Sequence, residues 1–181
     1  MKRAALARFG TELQPLLDDD SIGLEGRSTL GDHQSLRLWL RLLSCSNDVE
    51  TQIRQRLRSQ FGMTLARFDY LAQLHRHPAG LRMNALSRFL MVTGGNVTGL
   101  TDELEKDGFV AREDDPDDRR SYRVALTAKG RKAFEKIASV HEGWVVELLG
   151  GVTDADRQQL FELLGRLRVQ LSAQQNAATS E

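Results

Sequence analysis

The side chains best suited to chemistry gather in two stretches of the sequence. The first is Thr93-Gly94-Gly95-Asn96-Val97-Thr98-Gly99, short polar groups set among glycines. An Asn amide can make two hydrogen bonds to an adenine edge, and a Thr methyl can pack on a thymine methyl, so this composition suits the reading of base edges. Gly94, Gly95 and Gly99 each weaken a helix by about 1 kcal/mol relative to Ala. Such weakening suggests that something approaches the backbone there, a DNA edge or a phosphate being natural candidates. A loose helix start would account for Gly94 and Gly95 equally well. The second stretch is Asp114-Asp115-Pro116-Asp117-Asp118-Arg119-Arg120-Ser121, in which two arginines stand among four acids. If Asp118 or a neighbour braces one arginine, the other is free to enter a narrow minor groove. The same run also suits a solvated charged turn.

Other chemistry is sparse. Cys45 is the one cysteine, so it reads as a structural thiol or, alternatively, as a redox sensor with no second cysteine to resolve it. His75 and His77 lie near a helix end, and His33 and His141 stand apart from them, a pattern with no fixed ligand spacing and no expected metal. There is no glycine-rich phosphate loop after a strand, no nucleophile elbow and no metal-binding helix pair, so neither an enzyme nor a cofactor is expected. Lys+Arg and Asp+Glu are both 25 and the formal net charge is zero. That balance does not exclude nucleic acid, because counterion release depends on where cations sit and not on their sum. With no signal-peptide pattern and no apolar run near the roughly 20 residues that cross a bilayer, the expected location is cytoplasmic, with no membrane partner.

The elements that must position these residues are legible from periodicity. Leu36, Leu40, Leu43, Val49, Ile53 and Leu57 form the stripe of a long helix that stops at Gly62. Thr64 caps a second helix, Leu65 to His75, carrying Phe68, Leu71 and Leu74. Pro78 and Gly80 end it, leaving room for a very short extended piece at Leu81-Arg82. Met83 to Leu90 reads as a short helix with Leu86, Phe89 and Leu90 buried, and Gly94 to Lys106 as a fourth helix with Val97, Leu100 and Leu104 inward. The period then falls to two in Phe109–Glu113 and Tyr122–Leu126, predicting a β-hairpin around the charged loop. Thr127 restarts helix, Gly150-Gly151 breaks it, and a last helix from Thr153 or Asp154 sets Leu160, Leu163, Leu164, Leu167 and Leu171 on one side. Residues 1–33 read as an arm and linker, 34–173 as the folded body, and 174–181 as a frayed tail. The fold class is mainly α with a small β-hairpin wing: a winged helix-turn-helix flanked by N- and C-terminal dimerisation helices.

Within that frame, residues 83–130 resemble the MarR family of bacterial regulators. Thr93-Gly-Gly-Asn-Val-Thr-Gly-Leu-Thr-Asp-Glu-Leu-Glu-Lys-Asp-Gly-Phe-Val110 is similar to the family's recognition helix and first wing strand. Asp115-Pro-Asp-Asp-Arg-Arg-Ser-Tyr-Arg-Val-Ala-Leu-Thr-Ala-Lys-Gly130 matches its Asp-x-Arg wing and the strand ending in Leu-Thr-x-x-Gly. The likeness extends over roughly residues 35–171. It implies a DNA-binding lobe over about 63–126 and dimerisation helices over about 34–60 and 128–173. It implies DNA contacts from Thr93, Gly94, Gly95, Asn96, Thr98, Asp118, Arg119 and Arg120, with Asp118 as the bracing acid and Arg120 in the minor groove. Gly99 stands where many members carry arginine, which removes a phosphate or guanine contact. A double-stranded, pseudo-palindromic operator is the expected partner, with repression the family's commoner mode.

The leucine stripe of the last helix needs a covering surface, and a second copy supplies one, so a homodimer is expected on both counts. The resemblance further implies a small aromatic or anionic effector, for which Trp39, Leu43, Phe68, Leu71, His75 and His141 are the candidate lining. Each of these also suits an ordinary core. A winged-helix module that binds protein instead of DNA is the remaining alternative, and the Asn/Thr face and wing arginines argue against it.

Overall fold

The computed structural model describes residues 34–91, 93–115 and 118–178, with the side chains of residues 118–121, 176 and 178 outside that description. The predicted arm, residues 1–33, therefore lies outside the described residues. The order is α1 (Gln34–Phe61), α2 (Leu65–Arg76), β1 (Leu81–Arg82), α3 (Met83–Leu90), α4 (Gly94–Lys106), β2 (Val110–Asp115), β3 (Asp118–Leu126), α5 (Ala128–Leu148) and α6 (Asp154–Ala178). The chain divides into two compact units after Phe134, within α5. Among the described residues no helix is long and apolar enough to cross a membrane.

The first unit is built around α2. Thr64 Oγ1 caps it by accepting the Arg67 N–H at 3.3 Å, and its Phe68, Tyr70, Leu71 and Leu74 are buried. Ile53 and Leu57 of α1, Leu86 of α3, Val97 and Leu104 of α4, and Val110 and Val124 of the sheet complete the core. Each such side chain contributes about 1.5–3 kcal/mol by leaving water.

The inner face of α4 differs from expectation. Thr101 is fully buried, and Leu100 is only half-buried. A buried hydroxyl is tolerated because its needs are met: Thr101 Oγ1 donates to the Val97 carbonyl at 2.7 Å and lies 2.6 Å from Tyr70 Oη. Phe89, expected inside, is 48% exposed and stacks on His77 with ring centroids 5.3 Å apart.

The sheet has three antiparallel strands in the order β1-β3-β2, so the short piece at Leu81-Arg82 is a paired strand, Leu81 opposite Val124 and Arg82 opposite Arg123. The hairpin is longer than the alternating runs foretold. β2 reaches Asp115, β3 begins at Asp118, and those two residues pair after a register shift between Asp114 and Asp115. Arg119 and Arg120 thus lie on the return strand and not in a broad loop.

Two glycines are required by close packing. A Cβ on Gly80, at φ +76°, would stand 2.9 Å from the Val124 carbonyl oxygen, and one on Gly130 would fall 1.8 Å from that of Phe109. The Gly130 N–H is received by Thr127 Oγ1 at 2.9 Å, which starts α5 beneath the sheet's last strand.

In the second unit, Ile137 and Trp144 of α5 are buried. Thr153 opens α6, its Oγ1 accepting the Asp156 N–H at 3.2 Å and donating to Asp156 Oδ2 at 2.6 Å. The helix continues to Ala178, past residue 173 where fraying was expected, because the Ala/Gln-rich tail carries no helix breaker.

Candidate nucleic-acid interface

α4 is held from behind and open in front. Val97, Thr101 and Leu104 anchor it, while Thr93, Gly94, Gly95, Asn96 and Thr98 are all exposed on its N-terminal half. Thr93 occupies the N-cap position without spending its hydroxyl on the helix. Asn96 has no side-chain hydrogen-bond partner among the described residues. Thr98 Oγ1 donates back to the Gly94 carbonyl at 3.1 Å, leaving its methyl as an outward apolar contact. A Cβ added to Gly94, Gly95 or Gly99 would meet nothing within 4 Å, so nothing inside the subunit demands glycine there.

Three residues of α3 border the same surface and escaped the sequence reading. Asn84, Ser87 and Arg88 line a groove of about 630 Å³ together with Met83, Gly94 and Thr98. The signal was present in the spacing, since positions 84, 87 and 88 share one polar flank of a helix whose other flank carries Leu86.

The wing is fixed to this body by two acid–arginine knots. Asp115, only 1% exposed, accepts hydrogen bonds from Arg82 Nε at 2.6 Å, Arg82 Nη2 at 3.1 Å and Arg123 Nε at 3.0 Å. Among the described side chains Asp115 is therefore the bracing acid of the wing. The side chains of Asp118, Arg119 and Arg120, to which the brace and the groove contact were assigned, lie outside the description; their backbone belongs to β3. The second knot ties β2 to α4: Arg112 forms ion pairs with Asp102 and Glu105, and its N–H donates to Glu105 Oε1 at 3.2 Å. The Asp102 hydrogen bond above all holds the Arg112 pKa over its ordinary value. Behind α4, burial pushes the Tyr70 hydroxyl up to about 12, despite its bond to Thr101. That contact seats α4 on α2.

The six candidate effector-lining residues separate. Phe68 and Leu71 are buried, and the rings of Phe68 and His75 meet Phe134 at 5.5 and 4.8 Å. Trp39 is 58% exposed on α1 and Leu43 is also exposed. His141 belongs to the second unit, edge-on to Trp144 at 6.2 Å, and desolvation lowers its pKa. Cys45 is exposed on α1. Among the described residues no three His, Cys, Asp or Glu side chains group as a metal site, and His77 Nδ1 is already 2.8 Å from the Gln73 carbonyl.

Comparison with known proteins agrees with this geometry. The model of the MarR family matches residues 63–122. The chain is 41% identical over 78 residues to the uncharacterized HTH-type transcriptional regulator YkoM of Bacillus subtilis, covering 43% of this chain and 50% of that one. It is 36% identical over 104 residues to the transcriptional activatory protein BadR of Rhodopseudomonas palustris, covering 56% and 59%. The matches thus span about half the length of these curated relatives. A crystal structure of a MarR family transcriptional regulator from Silicibacter pomeroyi superposes with a TM-score of 0.65 at 36% identity, over 80% of this chain and 99% of that one. With sequence and fold in agreement over nearly the whole of that solved relative, the chain belongs to the MarR family.

Proposed function

We propose that the protein is a sequence-specific DNA-binding transcriptional regulator that acts as a homodimer on a pseudo-palindromic operator, represses, and is released by a small aromatic or anionic effector. The observation that carries this reading is the exposed Thr93–Thr98 face of α4, with Asn96 unpartnered, on a helix clamped behind by Val97, Thr101 and Leu104. In this reading Asn96 and Thr98 meet base edges in the major groove, and Arg88 meets a phosphate. Arg119 or Arg120 takes the wing's minor-groove contact, with Asp118 as its brace. Gly99 leaves the contact that arginine would make in other members unmade.

Dimerisation is supported by apolar side chains left to water in one copy: Leu160, Leu163, Leu164 and Leu171 on α6 and, separately, Leu36, Leu38, Trp39 and Leu43 on α1. A two-fold axis would set two copies of α4 on half-sites one helical turn apart. The effector, meeting Trp39, Leu43, Phe68, Leu71, His75 or His141, would act by favouring the state with the wrong spacing. The name of BadR favours activation as a second reading of the sign. A reporter under the selected operator, with and without the regulator, distinguishes the two.

The test is selection of bound duplexes from a random pool with the wild-type protein, Asn96→Ala and Arg120→Ala. Asn96→Ala relaxes choice at particular positions, by about 1–3 kcal/mol each. Arg120→Ala weakens binding across sequences and flattens the salt slope. A pool that gains no consensus with the wild type refutes the reading.

A further inference from the structure

A cleft of about 750 Å³ lies inside the first unit, on a flank of α2 that the effector candidates do not use. Leu65, Ala66 and Asp69 line it, whereas Phe68, Leu71 and His75 project roughly 130° away around the same helix. Its other wall is a row at four-residue spacing on α1, Glu50, Arg54 and Arg58. Leu90, at the end of α3, and Leu100, of α4, close it on the apolar side. The volume falls within the range of small-molecule sites, roughly 300–1,000 Å³.

The cleft carries charges of both signs beside an apolar face. α2 follows α1 after a tight turn, so Arg58 stands near the start of α2, where the helix dipole is also positive. Arg58 has no side-chain partner among the described residues, whereas Arg54 is ion-paired to Glu50. Asp69 stands about one turn into α2. Its carboxyl is exposed yet partly desolvated, and this first, then the Glu50 charge, raises its pKa against the opposing pull of Arg54 and Arg76. A cation beside Asp69 would offset the crowding of two carboxylates there.

We propose that this cleft binds a small zwitterion whose carboxylate and ammonium groups are separated by an apolar spacer, the carboxylate on Arg58 and the ammonium at Asp69. Leu65, Leu90 and Leu100 receive the spacer. Arg58 and Asp69 stand on different helices with Leu65, Leu90 and Leu100 in the same lining, so a ligand that meets both carries its charges apart, unlike an α-amino acid. Binding itself does not depend on the DNA-binding reading. Its consequence does, because Leu90 and Leu100 belong to the two helices that shape the proposed DNA surface.

The experiment is calorimetric titration of the DNA-free full chain with 6-aminohexanoate, and with hexanoate and hexylamine as one-ended analogues. Arg58 and Asp69 are exposed, so Arg58→Gln and Asp69→Asn keep the fold. The wild type binds 6-aminohexanoate saturably, and each one-ended analogue at least about tenfold more weakly. Arg58→Gln holds 6-aminohexanoate no better than hexylamine, Asp69→Asn no better than hexanoate, and Ala66→Trp, which fills the cleft, abolishes binding. No saturable wild-type binding in the millimolar range, equal affinity for the one-ended analogues, or wild-type affinity in both charge variants overturns the proposal. Failure here leaves operator selection untouched, and failure there leaves this site untouched.

Discussion

Replacing Asp115 with Asn keeps the shape of the wing's root and removes its charge. The carboxylate lies 1% exposed and receives three hydrogen bonds from two arginines, Arg82 and Arg123. A hydrogen bond to a charged group contributes about 1.5–3 kcal/mol. Placed where Oδ2 stands, the Asn oxygen can still accept both Nε–H bonds, so the Arg82 Nη2 bond is lost, its donor then faces the Asn NH2, and both guanidiniums lose this counter-charge. Removing one partner of a fully buried pair costs about 3–5 kcal/mol. Here the arginine side chains are 40% and 28% exposed, so water takes up part of that loss. The expected destabilisation is about 2 kcal/mol, between those bounds and the small worth of surface pairs. Urea unfolding at fixed protomer concentration reads it as a midpoint lowered by about 1 M, given a slope of about 1–3 kcal/mol/M. A shift below about 0.3 M would refute the reasoning and mean that Asp115 fills space without bracing the wing.

Other substitutions probe other links. Met91, at φ 52° and 91% exposed in the turn before α4, holds a left-handed conformation without packing in return, so Met91→Gly stabilises by about 0.5–1 kcal/mol in thermal unfolding; a loss contradicts this. Gly95→Ala adds a Cβ where nothing lies within 4 Å, so stability rises by up to about 1 kcal/mol while affinity for a selected duplex falls; unchanged affinity would show that the glycine serves only the helix start. The folded-state pKa of Tyr70, about 12, stands above its ordinary 10.0, so the folded protein holds the proton longer than the unfolded chain. Its contribution is whole below pH 10.0 and is lost as pH rises toward about 12, and Tyr70→Phe lacks that decline when urea midpoints are compared across the window.

How much of this could be read from the chain alone depended on how local the cause was. The stripe Val49, Ile53, Leu57 and the cap Thr64 report on their own neighbours, and the first two helices emerged with nearly their observed limits. The change to period two located the hairpin, but not its reach. Acids at 114 and 115 spoke for a loop, while the charge that lets Asp115 enter a buried strand end comes from Arg82, 33 residues away. Nothing local marks Thr101 as a core residue, because its partners, Tyr70 and the Val97 carbonyl, are invisible to periodicity. Phe89 failed for the opposite reason: a short helix gives too few turns to choose among three apolar residues, and His77 supplied a partial cover. Asn96 and Thr98 were legible because exposure on a glycine-rich helix leaves composition as the main signal.

The most direct measurement is a double-mutant cycle across the interface, with a selected operator in which the adenine paired to Asn96 is replaced by 7-deazaadenine. Removing that ring nitrogen should cost the wild-type protein about 1–3 kcal/mol and cost Asn96→Ala almost nothing, because the lost bond is already gone. Equal losses in the two proteins would mean that Asn96 does not touch a base and that α4 is not the reading element.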